Sequence, residues 1–568
     1  MEIKLSAIPL VLLMLILLSF GFVIDGTDGP QGPPGADGAN GIDGVDATPG
    51  ADGTNGTDGQ DGADGTNGTD GQDGADGTNG TDGQDGQDGA GGADGADGAD
   101  GADGADGADG ADGADGSASP NTMLTSISTP TLEDCSAGGR IMEHGLDNGD
   151  DGGTVQNGVL ESGEVDYTTT YCSNFVFKQV ADIIDGSDGS DPEEIAVMGT
   201  RLYFEADDGI TGKELWAYET TNDSTWQVAD INSGTGSSYL SDIVVMGTRL
   251  YFEAFEGNVL PDTGRELWAH EATNDSTWQV ADIYSGEESG SANDIVVFDT
   301  RLYFEADDGI NGRELWAHET TNDSTWQVAD INSGSGDGDV NDIVVMGTRL
   351  YFEANEGDDI NGAELWAHET TNDSTWQIAD INSGTGSSYV NDIVVMGTRL
   401  YFGADDDING TELWAHETTN ESTWQVADIW SGDDSSEASN FVVVGTRLYF
   451  EADDGITGYE VWAHETTNGS TWQVADIRSG EYSSYPSHFV VMGTRLYFEA
   501  RDASNNYEMW AHEATNGSTW QIADINSDGS GGADHTVVMG TRLYFGANDG
   551  STGHELWMME IEHTITYS

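Results

Sequence analysis

Residues Ser241–Ile283 read SDIVVMGTRLYFEAFEGNVLPDTGRELWAHEATNDSTWQVADI, and versions of this stretch fill the chain from about Phe177 to Ser568. The arginine of its T-R-L-Y-F segment recurs at Arg201, Arg249, Arg301, Arg349, Arg399, Arg447, Arg495 and Arg542, eight copies spaced 47 to 52 residues apart. Each period divides into four short runs of β-branched and aromatic residues: Asp242–Met246, Arg249–Ala254, Glu266–Glu271 and Thr277–Ile283. Gly, Asn, Asp or Ser bounds each run, as expected of strands. The first turn is M-G-T and the third carries Asn-Asp or Asn-Gly, a hairpin signal. Four strands per period of this length predict an all-β fold, an eight-bladed β-propeller of four-stranded blades.

The strand count sharpens this expectation. The fourth strand occurs seven times between copies, and the eighth copy (His535–Met539, Arg542–Phe545, Glu555–Glu560) has no W-Q-V-A-D-I after it. A matching F-K-Q-V-A-D-I stands before the first copy, at Phe177–Ile183. A strand from there completing the last blade closes the ring and removes its free edges. The competing reading gives that place to His563–Ser568.

The array resembles the ELWxxDGT repeat family, secreted microbial proteins expected to form propellers. The resemblance rests on Glu214-Leu215-Trp216, Glu266-Leu267-Trp268, Glu314-Leu315-Trp316, Glu364-Leu365-Trp366, Glu412-Leu413-Trp414 and Glu555-Leu556-Trp557, with variants at Glu460-Val461-Trp462 and Glu508-Met509-Trp510. The lead-in A-D-D-G-I-x-G (Ala206–Gly212, Ala306–Gly312, Ala452–Gly458) also matches, whereas E-T-T, as at Glu219-Thr220-Thr221, replaces D-G-T. The resemblance implies architecture and no activity.

Comparison between copies shows where they differ. The first and third turns hardly change, but the connections between copies and the second loop of each copy do, and in an up-and-down blade those two share one face. Variable acidic loops mark it as the interaction face. Candidate cation ligands there are Asp207, Asp208, Asp307, Asp308, Asp453 and Asp454, residue types that serve equally as solvated turn formers. One Arg per copy, and His270, His318, His368, His416, His464 and His512 in the third strands, are too regular for a catalytic site, which brings unlike residues together once. They read as a partner for a neighbouring Glu and as packing.

Ahead of the array, Cys135 and Cys172 are the only cysteines, an even pair that predicts a disulfide in an exported chain. The span between them resembles a short two-cysteine module of microbial surface proteins, whose core looks like a twelve-residue calcium loop. Counting back from Glu164 as last ligand places Asn157 fifth and Gly153 first, with Asp147, Asp150 and Asp151 upstream. The resemblance implies calcium on Asp147, Asp150, Asp151, Asn157 and Glu164. A Gly/Asn/Asp turn stapled by a disulfide is the alternative.

From Gly26 to Gly116 glycine holds every third place, broken only at Ala47, and the segment resembles the collagen-like stretches of microbial surface proteins, as in Gly29-Pro30-Gln31-Gly32-Pro33-Pro34-Gly35. Only glycine fits the axis of a triple helix. The segment holds 22 Asp and no Lys or Arg, so three chains repel one another unless cations screen them. Two states stay open: a homotrimeric triple helix, or a disordered stalk extended by its own charge. Met1–Lys4 followed by apolar Ser6–Ile24 is an export signal or an uncleaved anchor.

The expected division is therefore 1–24 signal or anchor, 25–116 stalk, 117–134 linker, 135–173 cysteine module and 174–568 propeller. A formal charge of −89 repels nucleic acid and anionic membranes. The expectation is a non-enzymatic extracellular protein, secreted or held at the cell surface, that presents a head on an acidic stalk to a glycan or protein. An extracellular hydrolase or lyase using the acidic face is the alternative.

Overall fold

The computed structural model describes residues 3–5, 122–154, 157–257, 264–357 and 361–568. The Gly-x-y stalk and almost all of the signal or anchor segment lie outside the described residues. The chain divides into two compact units, Met1–Asn174 with Glu562–Ser568, and Phe175–Ile561.

In the larger unit, seven antiparallel sheets of four strands follow one another along the chain, beginning with Glu193–Met198, Arg201–Asp207, Lys213–Glu219 and Ser224–Ala229. The eighth is built from Asp534–Met539, Arg542–Asn548, the first part of His554–Tyr567 and the end of Val165–Gln179. The outer strand of the last blade thus comes from in front of the first, and the amide of Val180 donates to the Leu556 carbonyl at 2.7 Å. Residues 563–568 do not turn back to form that strand. The eight innermost strands touch in succession, the last meeting the first, so the ring is closed.

Each strand alternates its side chains between two faces, and in a propeller both faces meet another blade. Leu250, Phe252 and Ala254 therefore pack with Tyr203, Leu215 and Ala217 of the preceding blade. Tyr251, between them in sequence, packs with Leu302, Phe304 and Ala306 of the following one. This explains why R-L-Y-F-x-A is apolar on both faces.

The polar letters of the period have equally regular partners. Arg201 Nε bonds Glu219 Oε2 at 3.2 Å, with its guanidinium 5.3 Å from the Trp226 ring centre. The same Arg–Glu pair recurs in every blade, as at Arg301–Glu319 and Arg495–Glu513. His270 is buried, shares a hydrogen bond with Thr277 at 2.9 Å and lies 5.6 Å from the Tyr203 ring of the preceding blade. The glutamate of E-L-W is also buried: Glu266 accepts the amides of Ile283 at 2.7 Å and Gly290 at 2.8 Å, clamping the connection to the next blade.

In the smaller unit, Gly139–Leu146 pairs with Met123–Ser128 on one side and with the start of Val165–Gln179 on the other. The linker expected over 117–134 is corrected here: Met123–Ser128 is a strand of this unit. Cys135 and Cys172 are bonded, with Cα atoms 5.2 Å apart.

Candidate functional site at the mouth of the axial channel

All eight innermost strands shift register against the second strand directly after their first residue. Such a bulge leaves one residue unpaired and bends the strand. The residue concerned takes a left-handed backbone: Glu194, Asp242, Asp294, Asp342, Asp392, Asn440, His488 and His535 all have φ between 46° and 57°. Asn, Asp and His are enriched in that conformation, while Glu adopts it less readily.

These eight residues form a ring around the axis, and side chains bond to the main chain of the next blade. Asp392 Oδ2 accepts the Asn440 amide at 3.1 Å, and His535 Nδ1 accepts the Glu194 amide at 3.3 Å. Glu194, Asp242, Asp294 and Asp342 likewise hold the main chain of the following ring residue. Burial, then the charge of its neighbours, pushes Asp294 up to about 7 and Asp342 to about 6. Behind the ring stands a second layer from Y-F-E-A, where burial raises Glu305 to about 7 and Glu353 to about 8.

The ring breaks the regularity that governs everything else. Five carboxylates occupy the first five blades and Asn440, His488 and His535 the last three. His488 and His535 have ring centres 5.7 Å apart, and His488 Nδ1 lies 3.6 Å from Glu499 Oε2, a contact that raises its pKa. Nearby, His554 Nε2 lies 3.2 Å from Asp534 Oδ2. Unlike residues are thus brought together once, which sequence reading did not find. Its signal was present: the second letter of the inner strand, read down the copies, runs E-D-D-D-D-N-H-H.

The acidic loop residues singled out from sequence serve their own turns. Asp207, Asp307 and Asp453 accept the amides of Gly209, Gly309 and Gly455, each at 2.7 Å. Asp208, Asp308 and Asp454 accept the amides of Ile210, Ile310 and Ile456 at 2.8, 2.8 and 2.9 Å. The turns so held carry their isoleucines outward: Ile210 and Ile310 are 71% exposed, Ile456 70% and Ile408 69%. Tyr239, Tyr389, Tyr482 and Tyr485, on the connections between blades, are exposed as well.

In the smaller unit, Asp147 and Glu164 are buried. Asp147 accepts the amides of Asn157 and Gly158 at 3.2 and 2.8 Å, and Glu164 those of Gly149 and Glu161 at 2.7 and 3.2 Å. Asp150 accepts from Asn148 Nδ2 at 2.7 Å, Asn157 from the Val159 amide at 2.8 Å, and Asp151 is exposed. Asp147 and Glu164 thus each turn both carboxylate oxygens to main-chain amides of the loop. Among the described residues no group of three or more His, Cys, Asp or Glu side chains is arranged to hold a metal ion.

Comparison with known proteins bears on the two ends of the chain differently. The collagen triple helix repeat matches residues 24–80 and 62–122. No curated protein matches the chain in sequence. Solved structures similar to it include puromycin hydrolase, at 12% identity and a TM-score of 0.40, covering 63% of this chain and 58% of that one. A prolyl endopeptidase structure is also 12% identical, with a TM-score of 0.42, covering 58% of this chain and 49% of that one. Oligogalacturonate lyase in complex with manganese is 9% identical, with a TM-score of 0.38, covering 78% of this chain and 97% of that one. The chain thus spans only about half to three-fifths of the length of the puromycin hydrolase and the prolyl endopeptidase.

Proposed function

We propose that the protein is a non-enzymatic binding protein of the cell exterior, secreted or anchored, whose propeller head is carried on the Gly-x-y stalk. The stalk serves as a homotrimeric triple helix or as a charge-extended single chain, and in both states it holds the head away from its base. The observation that carries the reading is the rim of exposed isoleucines and tyrosines on the variable face. Burying large apolar side chains is the main source of binding energy, and exposed ones held out by hydrogen-bonded turns on several blades suit a repetitive extracellular glycan or protein. Several weak contacts on one rigid body add up through multivalency.

The test places the full chain on glycan and extracellular-protein arrays, beside a variant carrying Ile210→Ser, Ile310→Ser, Ile408→Ser and Ile456→Ser. A ligand whose binding falls at least tenfold in the variant supports the proposal. Binding that ignores all four substitutions refutes it. A second reading, an extracellular hydrolase or lyase, is favoured by His488, which meets both His535 and Glu499 at the channel mouth. Turnover of a polysaccharide or peptide that His488→Asn abolishes would establish it in place of the first.

A further inference from the structure

Two columns of the repeat change together at the channel mouth. The ring residue passes from Asp342 and Asp392 to Asn440 and His488. The residue after it, isoleucine in the first five blades (Ile195, Ile243, Ile295, Ile343, Ile393), becomes Phe441 and Phe489. A cavity of about 360 Å³ opens where these changes meet, lined by Asp342, Asp392, Asn440, His488, Phe441 and Phe489. The neighbouring cavity over Asp242, Asp294 and Asp342 measures about 200 Å³. Phe441 and Phe489 are each braced by a second phenylalanine, Phe450 at 5.5 Å and Phe498 at 5.4 Å between ring centres. Glu353 stands close enough for its charge to act together with that of Asp342, and its Oε1 is buried without a hydrogen-bond partner.

We propose that this cavity binds an organic ammonium ion, a primary amine on an aliphatic chain of four or five carbons. Its nitrogen sits between the Asp342 and Asp392 carboxylates, and its methylenes lie against Ile393, Phe441 and Phe489. Burial and the charge of Asp392 push Asp342 up, which is the cost of holding carboxylates together away from water, and an ammonium beside them relieves it. Aromatic walls add attraction for a cation and cover its alkyl chain. A bare metal ion has no use for the apolar wall, and an anion meets a chain of charge −89. Lysine side chains and free diamines share the required chemistry. The proposal uses none of the rim isoleucines, so it stands or falls apart from the binding function above.

The experiment titrates the full chain calorimetrically with 1,5-diaminopentane at 0.15 M NaCl. One saturable site per chain is expected. The Asp342→Asn/Asp392→Asn variant is expected to weaken binding about tenfold or more, the scale of lost charge-assisted hydrogen bonds. Asn tolerates the left-handed backbone at both positions, and unchanged tryptophan fluorescence certifies the fold, because all sixteen tryptophans lie between Trp216 and Trp557. A Phe441→Ile/Phe489→Ile variant is expected to weaken binding several-fold without any change of charge. Nα-acetyl-lysine methylamide binding as well as the diamine points to a protein side chain as ligand, and the diamine alone to a free polyamine. Uptake of many equivalents that both variants leave unchanged is counter-ion condensation on an acidic chain and overturns the proposal, as does the absence of binding at 10 mM, roughly the weakest affinity of interest for so small a ligand.

Discussion

Glu266, the first letter of E-L-W in the second blade, offers a direct measure of what holds the ring together. It is fully buried; Oε2 accepts the Ile283 amide at 2.7 Å, while Oε1 accepts those of Gly290 at 2.8 Å and Tyr284 at 3.4 Å. Glu266→Ala leaves two short-bonded donors buried without partners, at about 1–3 kcal/mol each. The expected loss is therefore about 2–6 kcal/mol. Glu266→Gln keeps one oxygen for one amide and loses the other, so about 1–3 kcal/mol is expected. Guanidinium chloride unfolding of the full chain, followed by tryptophan fluorescence, reads the head alone, and an unchanged slope with a lower midpoint reports stability rather than compactness. An alanine variant within about 1 kcal/mol of the parent, or one no worse than the glutamine variant, would refute the clamp.

Three further outcomes follow from the same packing. Burial lifts Glu266 to about 8 and Glu305 and Glu314 to about 7, so the folded head holds protons that the unfolded chain has released, and stability falls as pH rises through that range. A drop in melting temperature on the order of 5 °C between pH 6 and 9 is expected, and a steady rise by scanning fluorimetry would contradict it. Arg301→Lys should cost about 1 kcal/mol in the same unfolding assay, because an ammonium cannot both bond Glu319 and lie flat on Trp326. Cys135→Ser with Cys172→Ser releases a loop closed over a separation of 37 residues, which costs the smaller unit about 4 kcal/mol. Limited proteolysis should show early cleavage between the two positions while tryptophan fluorescence is unchanged.

The blades were legible because both faces of R-L-Y-F-x-A meet a neighbouring blade, which leaves a run too apolar and too regular to misread. The closing strand was legible by counting, since a missing W-Q-V-A-D-I has a match at the other end. The channel mouth was not, because a bulge has no signature in hydrophobic alternation. Asp242 looks like the first residue of D-I-V-V-M, when its backbone turns left-handed and leaves the ladder. Ile210 and its counterparts were seen as part of a turn motif, whereas their exposure depends on which amides Asp208 and its counterparts accept. Met123–Ser128 was masked by the Ser, Thr and Pro around it, although M-L-T-S-I-S itself alternates as a strand should.

The outer strand of the last blade also orders events in time. Phe175–Gln179 is among the first parts of the head to be synthesised, yet its partner in the ring, the strand beginning at His554, is among the last. Until that partner emerges, an apolar strand waits with its hydrogen-bonding edge open, and pairing so distant in sequence is slow to form. Seven blades can assemble as they appear, but the ring locks only when the last blade has emerged. A chain that stalls before residue 554 would hold seven blades and two mismatched edges, a template for joining other unfinished copies.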